Sequence, residues 1–380
     1  MKIWDAIVVG AGPAGCAAAY DLAAAGREVL LLDKAEFPRE KACAGGLTLK
    51  TAQALRYSVE PIIRQKISHM RLERDGSRST VLSRRSPYSF MTVRQELDDY
   101  CFRQTIKSGA QFQRIRALEA VTEDSSGVAV GVDGQVLHAR FVVGADGVHS
   151  RVRQLTHGGD GWFWRAFALE ATVPVSGSVH DLVFDFAPVR NGYGWVFPKG
   201  DHLNIGLYSY AGDEKIDRSR LTAYIRSRFA GLSEDSVIGQ YAGFGAAQHK
   251  PSASRIFLVG DAGGFVDPLT GEGIYFAVIS GQAAAEAIET GLSSHTPAHE
   301  RFSEATAKIR ADLAVSTSGA HWFYANLDQG FRILSMRLLH GLVLNAFAKG
   351  FSPARLAARV RRLIPRTRES ENLTSRPARS

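Results

Sequence analysis

Apolar residues fall into two rhythms along this chain. Near the start, a short unbroken run from Ala6 to Val9 leads into Gly10-Ala-Gly12-Pro-Ala-Gly15. Small residues then fill Ala14 to Ala25, closed by Gly26. The pattern predicts a buried parallel strand, a tight turn and a helix stopped by glycine. A second strand over Glu28 to Leu32 puts Asp33 at its carboxyl end. Period-two alternation over 67–92, as in Met70-Arg-Leu-Glu-Arg, predicts further strands. Arg94 opens a helix ending near Gly109, a strand lies around Arg116 to Val121, and Asp133-Gly134 marks a hairpin. Phe141 to Gly144 begins another strand-turn-helix unit, with Asp146-Gly147 in the turn and Ser150 as the cap. Residues 165–250 read as alternating strands and turns. A buried strand then ends at Asp261, and a proline-glycine loop leads to a helix from near Gly273 to about Glu289, ended by Gly291. Two more helices are expected, over 299–319 and 321–348, the second with a broad apolar face.

The first turn carries chemistry as well as shape. Gly10 permits the tight turn, Gly12 lets backbone approach a pyrophosphate, and Gly15 lets helix and strand pack closely. The free N–H groups at the start of the helix that begins at Ala14 would face a diphosphate. Asp33 stands where a carboxylate receives a ribose 2′-hydroxyl. The Asp146-Gly147 turn suits a loop folded around an extended dinucleotide, or an ordinary turn before a capped helix. Asp261 offers a carboxylate to a sugar or ribityl hydroxyl, and the helix start near Gly273 faces a ring carbonyl. Arg94 at a helix N-terminus is unfavourable unless an anion lies near.

Composition narrows the field. The chain has 380 residues, 45% hydrophobic and 22% charged, enough for a large core in two lobes. Its three cysteines, at 16, 43 and 101, form no C-x-x-C pair and fit a reduced cytoplasmic setting. The N-terminus runs straight into the first strand, so no cleavable signal peptide fits. No apolar run reaches the roughly 18–20 residues that span a bilayer. The net charge is +8, and between Lys349 and Arg368 seven Lys or Arg residues occur with no acid. Interleaved with Phe351, Leu356, Val360, Leu363 and Ile364, they compose an amphipathic basic segment. It reads as an interfacial helix on the inner face of an anionic membrane, or as a solvated helix on the protein's own core. Nucleic acid is not expected as a partner. His295 and His299 have helical spacing, but Pro297 between them argues against a metal site.

Two stretches hold the remaining candidates. The loop from Lys34 to Leu47 contains Cys43-Ala44-Gly45-Gly46, whose glycines permit close approach of a flat ligand. Cys43 reads equally as a reactive thiol or a packing residue; Cys16 and Cys101 read as core. In Asn191-Gly-Tyr193-Gly-Trp195-Val-Phe197-Pro198-Lys199, alternation puts Tyr193, Trp195 and Phe197 on one face, as core or as a cavity wall.

Three glycine-acid units in this order resemble the FAD-containing family with the hydroxybenzoate hydroxylase fold, over roughly residues 1–290. Lys41-Ala-Cys43-Ala-Gly-Gly46-Leu and Tyr193-Gly-Trp195-Val-Phe197-Pro198-Lys199 resemble its geranylgeranyl reductase branch. The resemblance implies an α/β fold: a Rossmann-like FAD-binding domain with an inserted antiparallel-sheet substrate domain and a C-terminal helical region. The expected division is 1–66, 94–160 and 251–292 for FAD, and 67–93 with 161–250 for substrate. Residues 293–368 would be the helical region and 369–380 a disordered tail. Taken with the turn chemistry, the resemblance gives a cofactor-binding set of Gly10, Gly12, Ala14, Gly15, Asp33, Lys34, Cys43, Ala44, Gly46, Arg94, Leu118, Asp146, Asp261, Gly271, Gly273 and Ile274. Leu118 would act through its backbone at the adenine. Where many relatives read Cys-Gly, this chain has Cys43-Ala44.

The implied activity is reduction of prenyl carbon–carbon double bonds, with Tyr193, Trp195 and Phe197 lining the prenyl cavity. Cys43 and Tyr193 are the candidate proton donors. No second nucleotide fingerprint occurs, so the reductant would dock transiently, as NAD(P)H, reduced ferredoxin or reduced flavin. A monooxygenase or halogenase on the same fold is the competing enzyme, although the doubled tryptophan of halogenases is absent and Tyr193 stands in its first place. A flavin-binding sensor without turnover is the non-enzymatic alternative. The C-terminal helices would pack on the substrate lobe, wall the cavity, or both.

Overall fold

The computed structural model describes residues 2–349 apart from 75, 77, 157–160, 176–180, 211–213, 233, 250–252 and 295. The basic segment beyond Lys349, the tail 369–380 and His295 therefore lie outside the described residues. The glycine-rich start folds as its pattern predicts: strand Ile3–Val9, helix Pro13–Ala24, strand Val29–Asp33. Gly26 follows the helix at φ 80°, which reverses the chain. Among the described residues these strands lie in a seven-stranded sheet. Its order is Gln111–Arg114, Val29–Asp33, Ile3–Val9, Gln135–Gly144, Val128–Val132, Leu118–Glu123, with Ile256–Leu258 beside Gln135–Gly144. The first four strands and Ile256–Leu258 pair in parallel; the Asp133-Gly134 hairpin adds the antiparallel part, with φ of 50° and 77° at its two turn residues.

A second seven-stranded sheet runs Ser236–Phe244, Trp164–Pro174, His202–Ser209, Gly192–Pro198, Leu182–Asp185, His69–Arg74, Arg78–Ser83. It is antiparallel except where Leu182–Asp185 runs parallel to His69–Arg74. That pairing brings the early strands into the sheet built by residues 164–244. A three-stranded sheet of Gly46–Thr48, Ser89–Met91 and Gln65–Ile67 carries the end of the Cys43 loop.

The structure differs from the sequence reading in three places. Strands and turns do not fill 165–250: Arg218–Arg228 is a helix, with Asp217 accepting from the Arg220 N–H as its cap and Leu221, Tyr224 and Ile225 buried. Gly291 does not end the helix that starts at Ile274, which continues to Ser293. A Cβ on Gly291 would lie 2.8 Å from that of Ala298, so the glycine serves close packing of two helices. Finally, the C-terminal region breaks at Asn326 and again at Ser335–Met336, giving Ala298–Ala325, Leu327–Leu334 and Arg337–Lys349. These helices bury Phe323, Tyr324, Phe331, Leu344 and Ala348 against the second sheet.

Asp217→Ala should destabilise the protein by about 1 kcal/mol through loss of the helix cap. Urea unfolding checks this; an unchanged midpoint would mean that Leu221 and Ile225 packing alone holds the helix.

Candidate functional site

Gly10 sits at φ 104°, and a Cβ there would lie 2.4 Å from the Ala145 carbonyl oxygen, so neither conformation nor space admits a side chain. The helix after this turn has no side-chain cap and no acid in its first turn. Its free N–H groups and positive dipole end are thus left for an anion. The Arg39 guanidinium lies over Gly12, 3.3 Å from where its Cβ would be, and Arg39 Nε is buried without a hydrogen-bond partner. A glycine cradle, an uncapped helix and a guanidinium whose Nε is unsatisfied fit a diphosphate group. Asp33, buried at its strand end, accepts from the Ala11 N–H at 2.7 Å and the Ala35 N–H at 2.8 Å. Its carboxylate therefore fastens the glycine turn, with acceptor capacity left for a ribose hydroxyl. Arg39 carried no signal in the sequence beyond lying in the loop after Asp33.

The cavity walled by the second sheet and the Cys43 loop has a volume of about 220 Å³. Its wall brings together Cys43, Ala44, Gly46, Arg94, Asp261, Gly271, Gly273 and Ile274 with Tyr193, Trp195 and Phe197. The remaining candidates lie elsewhere. Gly10, Gly12, Ala14, Gly15 and Asp33 form the turn region, Lys34 is exposed, and Leu118 opens a strand just beyond the Ile115 N–H to Asp33 carbonyl bond. Asp146 is not among the residues lining the cavity. Its carboxylate accepts from the Ser150 hydroxyl and the Arg151 and Val152 N–H groups, so it caps the Arg151–Thr156 helix, the ordinary alternative for this turn.

Charges in the site are buried and paired. Arg94 donates to Asp98 twice at 2.8 Å, and Arg39 reaches the same carboxylate at 3.2 Å. The anion demanded by Arg94 at a helix start is thus Asp98, one turn along. Burial opposes the Arg94 charge, but Asp98 and Cys43 outweigh it and hold the guanidinium above its ordinary value. Asp261 is pushed up by burial, with Lys41 and the Gly243 N–H acting against that. That N–H, at 3.3 Å, leaves Asp261 acceptor capacity beside Gly273, where the Ile274–Ser293 helix starts uncapped. A carboxylate and free helix N–H groups together suit a polyhydroxyl chain and a ring carbonyl.

The Cys43 loop is clamped from three sides. Lys199 Nζ donates to the Ala44 and Thr92 carbonyls, at 2.5 and 2.8 Å. Thr92 donates through its N–H and hydroxyl to the Gly45 carbonyl, and Glu170 accepts the Cys43 N–H at 2.7 Å. Gly45, at φ 62°, would place a Cβ 2.2 Å from the Thr92 carbonyl oxygen. Cys43 favours the charged forms of Arg94 and Lys199, and it is half-buried on the cavity wall. Burial pushes the Glu170 carboxyl up, against the Cys43 N–H and the Asn204 side chain. Asn204 also accepts from Trp195 Nε1 at 2.7 Å, which fixes the indole. Glu170 was visible only as a lone acid in an apolar strand.

The opposite loop is held by three phenols. Tyr208, Tyr324 and Tyr193 donate to the carbonyls of Pro268, Leu269 and Thr270 in turn. The Tyr193 hydroxyl proton is thus committed to a backbone carbonyl, and burial raises its pKa. Both features make Tyr193 a clamp on the Gly271–Gly273 loop and a poor acid. A second, mostly apolar cavity, of about 460 Å³, adjoins the first; Phe184, Tyr193, Thr270, Glu272 and Phe347 line both. Its far wall comes from the C-terminal helices, which therefore pack on the sheet and wall the cavity at once.

Comparison with known proteins agrees with this arrangement. The FAD binding domain family model matches residues 4–293. A menaquinone reductase of Mycolicibacterium smegmatis is 32% identical over 318 residues, covering 76% of each chain. A geranylgeranyl diphosphate reductase of Rhodobacter capsulatus is 30% identical over 330 residues, covering 80% of this chain and 79% of that one. A geranylgeranyl bacteriochlorophyll reductase-like protein of Thermoplasma acidophilum superposes with a TM-score of 0.80 at 20% identity, covering 96% of this chain and all of its own. A flavin-dependent brominase shares the fold with a TM-score of 0.77 at 16% identity, covering 95% and 99%.

Burial pushes Lys199 down to about 7, against the attraction of Cys43 and Glu170. In the unfolded chain it titrates at its ordinary 10.5, so unfolding takes up a proton between those values. Wild-type stability should therefore rise from about pH 7 to 10.5 more steeply than that of Lys199→Met, by a few kcal/mol at most. Parallel stability–pH curves for the two proteins would refute the assignment.

Proposed function

The chain belongs to the FAD binding domain family of FAD-dependent oxidoreductases, in its geranylgeranyl reductase branch, and from that premise we propose that it saturates prenyl carbon–carbon double bonds. The observation that carries this reading is the aromatic stripe. Tyr193, Trp195 and Phe197 lie on the same cavity wall that faces the Cys43 loop, and that cavity adjoins a long apolar one. An extended hydrocarbon chain needs such a groove, and a compact polar aromatic substrate does not. The reductase names of the relatives support the same substrate class.

FAD would be held by the Gly10–Gly15 turn and Arg39 at the diphosphate, Asp33 at the ribose, Asp261 at the ribityl chain and the Gly273–Ile274 helix start at the ring. When bound and reduced, it supplies the hydride. The chain's own residues position the alkene, exclude water and hold a proton. Trp195, Phe197, Phe184 and Phe347 supply the dry wall. Cys43 remains the proton-donor candidate at the cavity surface; Tyr193 fixes the loop. The reductant would be NAD(P)H, reduced ferredoxin or reduced flavin docking transiently, and the prenylated substrate would come from an anionic membrane surface.

The test is anaerobic. Reduced protein mixed with a prenyl lipid should reoxidise without oxygen; substrate consumed only with oxygen would favour a monooxygenase, and neither would leave a sensor. Trp195→Ala should raise KM or lower kcat with a native flavin spectrum. A stable variant with unchanged kinetics would remove the cavity role, and one that only unfolds, losing the about 3–5 kcal/mol of a truncated core aromatic, would make Trp195 plain core. Asp33→Ala should weaken FAD retention by about 1.5–3 kcal/mol, read as cofactor lost on gel filtration. The FAD should be released by acid denaturation; colour kept in the pellet would mean a covalent link.

A further inference from the structure

We propose that the outer face of the bent helix pair Leu327–Leu334 and Arg337–Lys349 seats the protein on an anionic lipid bilayer and forms the portal to the apolar cavity. The pair has the length and apolar composition of a membrane span, but it turns through 94° at its break. Its inner side is already occupied: Phe331, Leu344 and Ala348 are buried in the protein's own core. Only the outer side is left for a partner, so the pair lies on the membrane and does not cross it.

That outer side is apolar in an unusual way. Leu338 is 93% exposed, Met336 51%, Leu342 42% and Ile333 41%, all within one short stretch around the bend. Leu338 and Leu342 are one turn apart and share a face. The charges beside them are of one sign: Arg332, Arg337 and Lys349 are exposed. The last acid before them, Asp328, is paired with Arg78 at 2.8 Å. No further acid occurs before Glu369, and six arginines follow between 355 and 368. Exposed leucine and isoleucine on helices that also carry exposed Arg332, Arg337 and Lys349, with no acid after Asp328 on either helix, match an anionic interface, where apolar burial and headgroup attraction act together. A second copy of the same face would bring like charges together.

The portal follows from what lies beneath. Leu334, Val343, Ala346 and Phe347, on the inner sides of these same helices, line the apolar cavity, and Phe347 also lines the cavity holding Cys43. The same two helices thus carry cavity lining on their inner side and the proposed seat on their outer side. This part rests on the prenyl-reductase reading; the seating does not.

The test uses the full chain with bound FAD. Wild type, the triple variant Ile333→Asp/Leu338→Asp/Leu342→Asp and the control Val136→Asp are spun with vesicles of phosphatidylcholine mixed with phosphatidylglycerol, or of phosphatidylcholine alone. Val136 is 61% exposed on the hairpin of the first sheet. All four sites are exposed, and an unchanged flavin spectrum and Tm would show that the variants fold. The expected result is binding of wild type and control to anionic vesicles only, weakened by high salt, with a loss of about tenfold or more in the triple variant. Equal binding by the triple variant, or none by wild type, overturns the seating. So does a wild-type dimer that the triple variant converts to monomer without a change in vesicle binding, which would assign the face to a second copy. For the portal, the triple variant should lose turnover of a prenyl lipid embedded in vesicles while keeping turnover in detergent; equal loss in both overturns it. Absence of turnover by wild type in both media would remove the reductase reading and the portal with it, leaving vesicle binding to decide the seating.

Discussion

The site depends on one buried amino group. Lys199 closes the Gly192–Pro198 strand, and its Nζ binds the carbonyls of Ala44 and Thr92, which belong to the segments joined by the small three-stranded sheet. Desolvating an ammonium is costly; two carbonyls, with Cys43 and Glu170 nearby, offset part of that cost, and burial still pushes Lys199 down to about 7. The gain is positional. The aromatic strand and the Cys43 loop are tied to the same atom, so the two walls of the cavity keep their spacing. Thr92 and Glu170 bind the same loop from other directions, which leaves Cys43 little freedom to leave the wall.

The opposite wall obeys the same rule with neutral groups. Three consecutive carbonyls of the Pro268–Thr270 loop receive three tyrosine hydroxyls, from two strands and a C-terminal helix. Each phenol is buried and needs a partner, and each carbonyl in an irregular loop needs a donor, so both demands are met at once. The consequence reaches the chemistry. A phenol that holds a backbone carbonyl is a positioning group, which leaves Cys43 as the proposed proton donor on the cavity wall.

What the sequence made legible was whatever depends on local backbone rules. The strand, glycine turn and helix around Gly10 follow from an unbroken apolar run and glycine placement, and the Asp133-Gly134 turn from the positive φ that both positions adopt. The alternation of Tyr193, Trp195 and Phe197 put them on one face, and all three line the cavity. Hidden features depend on residues far apart in sequence. Glu170 and Lys199 meet through a loop more than a hundred residues earlier, Arg39 acquires meaning only over Gly12, and Gly291 looks like a stop until Ala298 packs on it. Asp217 was a readable cap, but the strand rhythm around it masked a helix whose buried face is just Leu221, Tyr224 and Ile225.

The C-terminal helices connect these constraints to the outside. Tyr324 anchors one of them to the Leu269 carbonyl, and Phe347 reaches between Tyr88 and Phe184 at the cavity. Their inner faces therefore complete the core of the second sheet, while their outer faces keep apolar residues in water that no part of the described chain covers. Such residues persist in a stable protein when something else covers them at work. A groove meant for a hydrocarbon chain has the same difficulty, because its substrate is scarcely present in water. One helix pair that closes the groove on one side and meets lipid on the other resolves both difficulties with the same residues.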